Sequence, residues 1–390
     1  MAIINRIGDF HDEMIAWRRD LHAHPELGFE EVRTSALVAD KLRAFGLDEV
    51  HTGIAKTGVV GVLRAGAGGH AIALRADMDA LPIEEATGLP YASRHAGRMH
   101  ACGHDGHTTM LLGAARYLAE TRNFDGTIYF IFQPAEETLA GGRVMVEDGL
   151  FERFPAEQVF GMHNWPRLPL GQFAMRPGPM MAAADRIEIR LTGDGGHGAM
   201  PHLARDPVAA GAQIVTALQT IVARNADPID RAVVSITQFH AGTTDNVIPG
   251  SAFLGGTARS FSPEMQDLIE RRVGEIAHGV GQALGVEVTC SYHRGYPATV
   301  NSEAETEEAA LAAADVVGAD RVDRAPAPVM GAEDFAFMLH RRPGAYVFIG
   351  NGGGANAPMV HNPDYNFNDE ALSYGASYWA RLAERLLPAR

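Results

Sequence analysis

The chain has 390 residues, 46% of them apolar and 21% charged, with a formal net charge of −15. That length points to two domains rather than one core, and the composition is that of an ordinary globular protein. The negative charge argues against nucleic acid and against an anionic membrane surface, because there is no basic field to release counterions from phosphates. No run of about 18 apolar residues offers a membrane span.

The opening residues, MAIINRIGDFHDEM, carry acids early and no apolar core ahead of a small-residue cleavage site, so they do not read as a signal peptide. With only Cys102 and Cys290, no disulfide framework is expected, and the chain reads as cytoplasmic. Apolar positions at helical spacing predict a helix over residues 6–22, stopped by Pro25 and Gly28. His22 and His24 have no acid or cysteine at ligand spacing and are read as structural. A second helix is expected over TSALVADKLRAFG, with Thr34 as cap and Gly46 as stop. GVVGVLRAG and HAIALRADMDALP read as strands joined by a glycine-rich turn. The second strand ends in Asp77-Met78-Asp79. Carboxylates at i and i+2 share a direction on an extended backbone, and the carboxyl ends of buried strands are where open α/β sheets place their sites.

Next comes HACGHDGH, residues 100–107. It places Cys102 and His104 in a tight loop before a helix through TTMLLGAARYLAE, with Asp105 as the expected cap. A helix N-terminus favours a thiolate over a thiol, and sulfur with imidazole is a ligand set for zinc and similar metals. In GTIYFIFQPAEE, residues 127–132 form an apolar central strand that delivers Glu136 and Glu137. Adjacent side chains diverge, so one glutamate can ligate while the other accepts a proton. The strand QVFGMHNW is expected to end at His163. Acids, thiol and imidazoles thus gather at three strand ends and one loop, which together point to a metal site.

From Arg186 the predicted order is βαββαβ, that of a ferredoxin-like split sandwich. We therefore expect an α/β protein. Its catalytic domain, residues 1–184 and 294–390, has a mixed, mainly parallel sheet flanked by helices; residues 185–293 form an inserted ferredoxin-like α+β domain. Cys290, on the last inserted strand, reads as a packed apolar residue. The helix NSEAETEEAALAAADVVG reads as a solvated acidic face. Residues 331–334, Gly-Ala-Glu-Asp, are expected to open a helix, and GAYVFIGNGGG is a strand leading to a glycine-rich loop. His361, in the irregular stretch HNPDYNFNDE, is open between surface loop and ligand, and Asn368 or Asp369 is the expected cap of the final helix.

The motifs HACGHDGH, QPAEE, GMHNWP, GGHGAMPH, TTDNVIPGSA, MGAEDFAFM and HNPDYNFND follow one another over nearly the whole chain. In that order they resemble the hippurate hydrolase and auxin-conjugate (IAA-amino acid) amidohydrolase branch of the aminoacylase and glutamate carboxypeptidase superfamily. The resemblance implies that Cys102, His104, Glu137, His163 and His361 hold two divalent cations bridged by Cys102. Zinc is expected, or manganese, cobalt or nickel. It implies that Glu136 is the general acid/base and that Asp79 orients a ligating histidine. Asp77 stands where many relatives carry a metal-binding histidine, which puts a direct metal role for it in doubt. His197, within GGHGAMPH, would reach an active site, often the partner subunit's; His202 has a less certain part. Asn246 and Arg259 would hold the substrate's carboxylate or carbonyl.

The implied reaction is hydrolysis of N-acyl amino acids, N-benzoyl or N-acetyl for example, to a carboxylic acid and a free amino acid. The implied assembly is a homodimer, or a tetramer, through the inserted domain. The alternatives are a metallo-carboxypeptidase or dipeptidase, an N-acetyl-diaminopimelate-type deacetylase, and a non-catalytic binding protein of the same fold.

Overall fold

Seven consecutive buried residues, Ala71–Asp77, mark the centre of the larger sheet in the computed structural model, which describes residues 3–389. In chain order the principal elements begin with α1 (Asn5–Asp9), α2 (His11–Ala23), α3 (Val32–Ala44), β1 (Glu49–Ile54), β2 (Gly58–Ala65) and β3 (Ala71–Asp77). They continue with α4 (His104–Thr121), β4 (Gly126–Gln133), α5 (Glu136–Leu139), β5 (Gln158–Trp165) and β6 (Phe173–Ala174). Then come β7 (Ala183–Thr192), β8 (Gly196–His197), α6 (Pro207–Leu218), β9 (Val233–Ala241), β10 (Val247–Ile248), β11 (Ser251–Ser260), α7 (Pro263–Leu284) and β12 (Glu287–Tyr296). The chain closes with α8 (Glu303–Val317), β13 (Val322–Asp323), β14 (Gly344–Gly350) and α9 (Ala371–Leu386).

Two compact units result: Met1–Met180 with Val300–Ala327 and Asp334–Arg390, and Met181–Thr299 with Pro328–Glu333. The six residues of the last segment join the second unit rather than the first, a departure from the expected boundaries. Met181 bridges to Val329, and the Ala182 N–H donates to Val329 and Gly331 carbonyls.

The first unit's sheet has the order β1-β2-β4-β3-β5-β14-β6-β13. Its centre is parallel: β3 pairs with β4 and β5, and β14 with β5. Antiparallel pairs β1–β2 and β2–β4 extend one side. Because β3, β4 and β5 run the same way, their carboxyl ends deliver Asp77, the turn after Gln133, and His163 to one edge. β5 runs two residues past His163, which lies inside the strand and not at its end. β1 escaped the sequence reading because EVHTGI is a half-exposed strand at the edge of the sheet with no apolar alternation.

The second unit's sheet, β9-β11-β7-β12, is antiparallel throughout, the strand order of a ferredoxin-like sandwich. α6 and α7 bury Ile214, Leu218, Ile269 and Val273 with Ile187, Ile189, Leu191 and Leu254 of the sheet. Cys290 is half-buried at the margin of that core.

Local readings change in several places. The predicted helix over residues 6–22 is two, broken at buried Phe10 (φ −109°, ψ 21°). Thr34 does not cap α3; the Glu26 carboxylate does, accepting the Arg33 and Thr34 N–H groups. Gly103 (φ 90°), not Asp105, occupies the N-cap of α4. α8 is not a solvated helix, for Ala309, Ala310, Ala312, Ala313 and Val316 are buried on one side. Only Ala336–Leu339 is helical after residues 331–334, and α9 starts past Glu370, with no side-chain cap. Among the described residues no helix is long and apolar enough to cross a membrane.

Asp105 serves a deeper purpose than capping. It sits fully buried against Arg18 Nε at 2.9 Å and His22 Nδ1 at 2.8 Å. Burial would raise its carboxyl, but the Arg18 charge and the His22 hydrogen bond outweigh this and hold it well below the carboxylate range. Arg18 also donates to Asn366 Oδ1 at 2.6 Å, so α2, α4 and the 366 loop are tied at one guanidinium. Arg18→Met should therefore cost about 3–5 kcal/mol, the usual penalty for stranding a buried charge, read as a lower urea midpoint. A carboxyl depressed in the folded state stabilises fully above its unfolded value, about 3.9, and ever less below it. Stability should thus fall below about pH 4 in the native protein and fall less steeply in the variant.

Candidate metal centre

Each predicted first-unit site residue is brought to one place. Cys102, His104 and His163 form one group whose ligand atoms all lie within 4.8 Å of one another; Cys102, Glu137 and His361 form a second. Cys102 belongs to both. His104, Glu136 and Glu137 form a third such group. The Cys102 sulfur is 3.3 Å from His163 Nε2, and His361 Nε2 is 3.2 Å from Glu137 Oε1. His361 is half-exposed with a left-handed backbone (φ 66°), and its N–H donates to the Ala101 carbonyl at 2.7 Å, which pins the 361 loop to the cysteine loop.

The two buried imidazoles are aimed by their other nitrogens. His104 Nδ1 meets Asp79 Oδ1 at 3.1 Å, and His163 Nδ1 meets the Asn164 carbonyl at 2.6 Å. In each case Nε2 is left to face the cluster, the arrangement by which ligating histidines are oriented. His104 Nε2 is buried without a hydrogen-bond partner, and the buried Glu137 Oε1 lies 3.8 Å from it and 3.2 Å from His361 Nε2. An orphaned buried acceptor beside a thiol makes a poor protein interior and a good cation site. The donor set of sulfur, imidazole and carboxylate therefore fits a divalent cation.

The charge balance agrees. Burial and the Glu137, Glu136 and Asp77 carboxylates push the Cys102 thiol well above its usual value. Burial opposes a charged His104 ring, yet Asp77, Asp79 and Glu137 overcome it and raise the ring to about 10. The same surplus of negative charge that draws a proton there attracts a divalent cation, which in turn favours thiolate. His163 is pushed well down, by burial and by the His107 and His104 rings, and stays neutral as a ligand must.

Asp77 is engaged elsewhere. Its Oδ1 accepts from His107 Nδ1 at 2.6 Å and its Oδ2 from Arg75 Nη1 at 2.8 Å. His107 Nε2 in turn accepts the Asn164 N–H at 2.9 Å, so both ring nitrogens are used within the protein. Asn164 also donates to the Cys102 carbonyl at 2.6 Å and accepts from Tyr365 Oη at 2.8 Å. The left-handed Gly103 lies so close to Asn164 and Tyr365 that a Cβ there would sit 2.4 and 2.5 Å from them. This support was missed in the sequence. His107 shares a helix face with His104 at i, i+3, and Arg75 shares a strand face with Asp77 at i, i+2; those spacings were the available signals. Nothing near Asn164 or Tyr365 announced them.

His197, His202, Asn246 and Arg259 lie in the second unit. His197 and Asn246 are neighbours there: β8 pairs with β10, and the Gly198 N–H donates to the Asn246 carbonyl at 2.8 Å. His197 and His202 are exposed. Arg259 is half-buried and donates to the Ala258 carbonyl at 2.9 Å and to Thr257.

Cys102→Ala should lower bound metal; two full equivalents by elemental analysis would remove Cys102 from the site. Asp79→Ala should weaken metal retention by about 10–100-fold, measured by competition with a chelator, and unchanged retention would show that Asp79 does not orient His104.

Residues 73–385 match the peptidase family M20/M25/M40. The hippurate hydrolase of Campylobacter jejuni is 44% identical over 387 residues, 99% of this chain and 100% of that protein. The N-acetylcysteine deacetylase of Bacillus subtilis is 40% identical over 375 residues, 96% of this chain and 97% of that protein. Among solved structures, the Bacillus subtilis YXEP protein, a dinuclear metal binding peptidase from the M20 family, matches with a TM-score of 0.85 and 37% identity, over 98% of this chain and 100% of that one. A family match over most of the length, joined to relatives that cover it nearly end to end, shows that the chain belongs to the peptidase family M20/M25/M40.

Proposed function

We propose that the chain is a metal-dependent amidohydrolase that cleaves N-acyl amino acids to a carboxylic acid and a free amino acid. The observation that carries this is Glu136 lying within 4.8 Å of His104 and Glu137, beside two groups of candidate ligands that share Cys102. The names of the hippurate hydrolase and the N-acetylcysteine deacetylase both denote N-acyl amino acids, which supports the same substrate class.

In this reading Cys102, His104 and His163 would hold one cation and Cys102, Glu137 and His361 the other, with zinc, manganese, cobalt or nickel as occupants. When bound, such a pair polarises the acyl carbonyl and makes water a better nucleophile at neutral pH. Asp79 keeps His104 Nε2 directed inward. Glu136 accepts the proton of the attacking water and passes it to the leaving nitrogen. His197 donates to the developing oxyanion, and Arg259 with Asn246 holds the free carboxylate. The second unit is the proposed dimer contact. Supporting it, β9 stands at the edge of its sheet with Phe239 and His240 exposed. A cytoplasmic location is part of the same reading, resting on the use of cysteine as a ligand rather than in a disulfide.

Glu136→Gln should lower kcat by about 10²–10⁴ while metal content stays at the native level; near-normal turnover would exclude Glu136 as the base. The substrate class is tested by a panel of hippurate, N-acetyl amino acids, N-acetyl-diaminopimelate and dipeptides, run on chelated enzyme with a defined metal restored. N-acyl amino acids should be cut with the highest kcat/KM. A clear preference for dipeptides would replace this reading with a dipeptidase.

A further inference from the structure

Glu136 and Glu137 leave the chain from an unusual turn. The residue before them, Ala135, is left-handed (φ 55°, ψ 45°), and so is Ala140 after the short α5 (φ 54°). Neither is glycine, so the backbone is held there against its own preference. The Pro134–Ala135 segment is packed tightly by three glycines. A Cβ on Gly28 would come 3.0 Å from Ala135 Cβ, one on Gly58 3.1 Å from Pro134 Cδ, and one on Gly141 1.8 Å from the Pro134 carbonyl oxygen.

One side chain grips the Ala135 peptide. Glu31 is fully buried; its Oε1 accepts the Ala135 N–H at 2.8 Å and its Oε2 accepts the Thr57 hydroxyl at 2.6 Å. Its own segment is well anchored. The Ala80 N–H donates to the Glu26 carbonyl at 2.8 Å, Leu27 bridges to Ala80, and the Glu26 carboxylate caps α3. Asp79, next to Ala80, accepts the Glu137 N–H at 3.0 Å, so Glu31 holds the glutamate turn at Ala135 and Asp79 holds it at Glu137. Among the described residues Glu31 is in none of the groups able to hold a metal. It also lies ahead of the stretch that matches the family, 73–385.

We propose that Glu31 is a positioning residue: by holding the Ala135 peptide left-handed it sets the direction in which Glu136 and Glu137 leave the chain. The proposal rests on the reading of Glu136 as the group that handles the proton. A carboxyl in this place is kept for its two hydrogen bonds, since burial disfavours its charge and pushes it up to about 7.

The test uses the full chain loaded with zinc and compares Glu31→Ala, Glu31→Gln, Ala135→Gly and the double variant Glu31→Ala/Ala135→Gly. With zinc kept saturating, so that any weaker hold through Glu137 does not empty the site, Glu31→Ala should lose about tenfold or more in kcat, with KM within about threefold. Glu31→Gln should keep most of the activity, because an amide can accept from Ala135 and donate to Thr57. Glycine adopts the left-handed conformation freely, so the double variant should regain most of the kcat lost by Glu31→Ala. Native kcat in Glu31→Ala, or a loss that the double variant does not recover, would overturn the proposal.

A second readout does not depend on turnover. Hydrogen exchange over residues 134–141 should speed up about tenfold in Glu31→Ala and stay slow in Glu31→Gln. Unchanged exchange there in Glu31→Ala would mean that Glu31 does not hold the turn. Should Glu136→Gln turn over normally while this exchange result stands, the reading of Glu136 fails and the grip of Glu31 on the turn survives.

Discussion

Lone pairs crowded into a buried space repel one another unless something positive stands among them. At the carboxyl ends of β3, β4 and β5 this chain gathers a thiol, two inward-turned imidazole nitrogens and a pair of glutamates. It leaves His104 Nε2 without a hydrogen-bond partner. Such a cluster is unfavourable by itself and favourable around a cation, so metal binding and the local order of the fold are coupled. The glycine-lined cysteine loop, the left-handed His361 and the strained glutamate turn are all ways of bringing these atoms together.

Around the cluster lies a shell of groups already engaged with one another. Asp77 is taken by Arg75 and His107, and His107 by Asn164. Asp334 is held by Arg75, Gln133 and the Gly142 N–H, and its own N–H reaches Glu136 Oε1 at 3.3 Å. A fully buried guanidinium is tolerated only with such partners. Its use here is directional: Arg75 ties the end of β3 to the residues beside Glu136, so Glu136 and the strand that carries Asp77 share one frame. The outer Arg18–Asp105–His22 group does the same for the first turn of α4, the turn that presents His104.

The sequence carried the fold class and most of the candidate ligands for identifiable reasons. Buried central strands read as continuous apolar runs, and the ends of those runs are marked by acids that an idle strand end has little cause to carry. The βαββαβ order of the second unit was legible because each element has its own period and its own stops. Helix starts were less legible. Thr34 and Asp105 looked like caps, but Glu26 caps α3 from eight residues back, and Asp105 is drawn inward by Arg18. α8 looked solvated because its acids are conspicuous, while its alanines, which do the packing, are not.

By itself, then, the chain order determined which residue types arrive at the ends of which strands, and that was enough to name Cys102, His104, Glu136, Glu137 and His163 as candidates. Tertiary structure decided which nitrogen of each imidazole faces the cluster, that Asp77 is spent on Arg75 and His107, and that His361 meets Glu137. It also decided that Glu31, about a hundred positions away in the chain, grips the turn before Glu136. The physical reason is that periodicity is a local property of the chain, whereas a hydrogen-bond partner is chosen by whatever the packed core brings within about 3 Å.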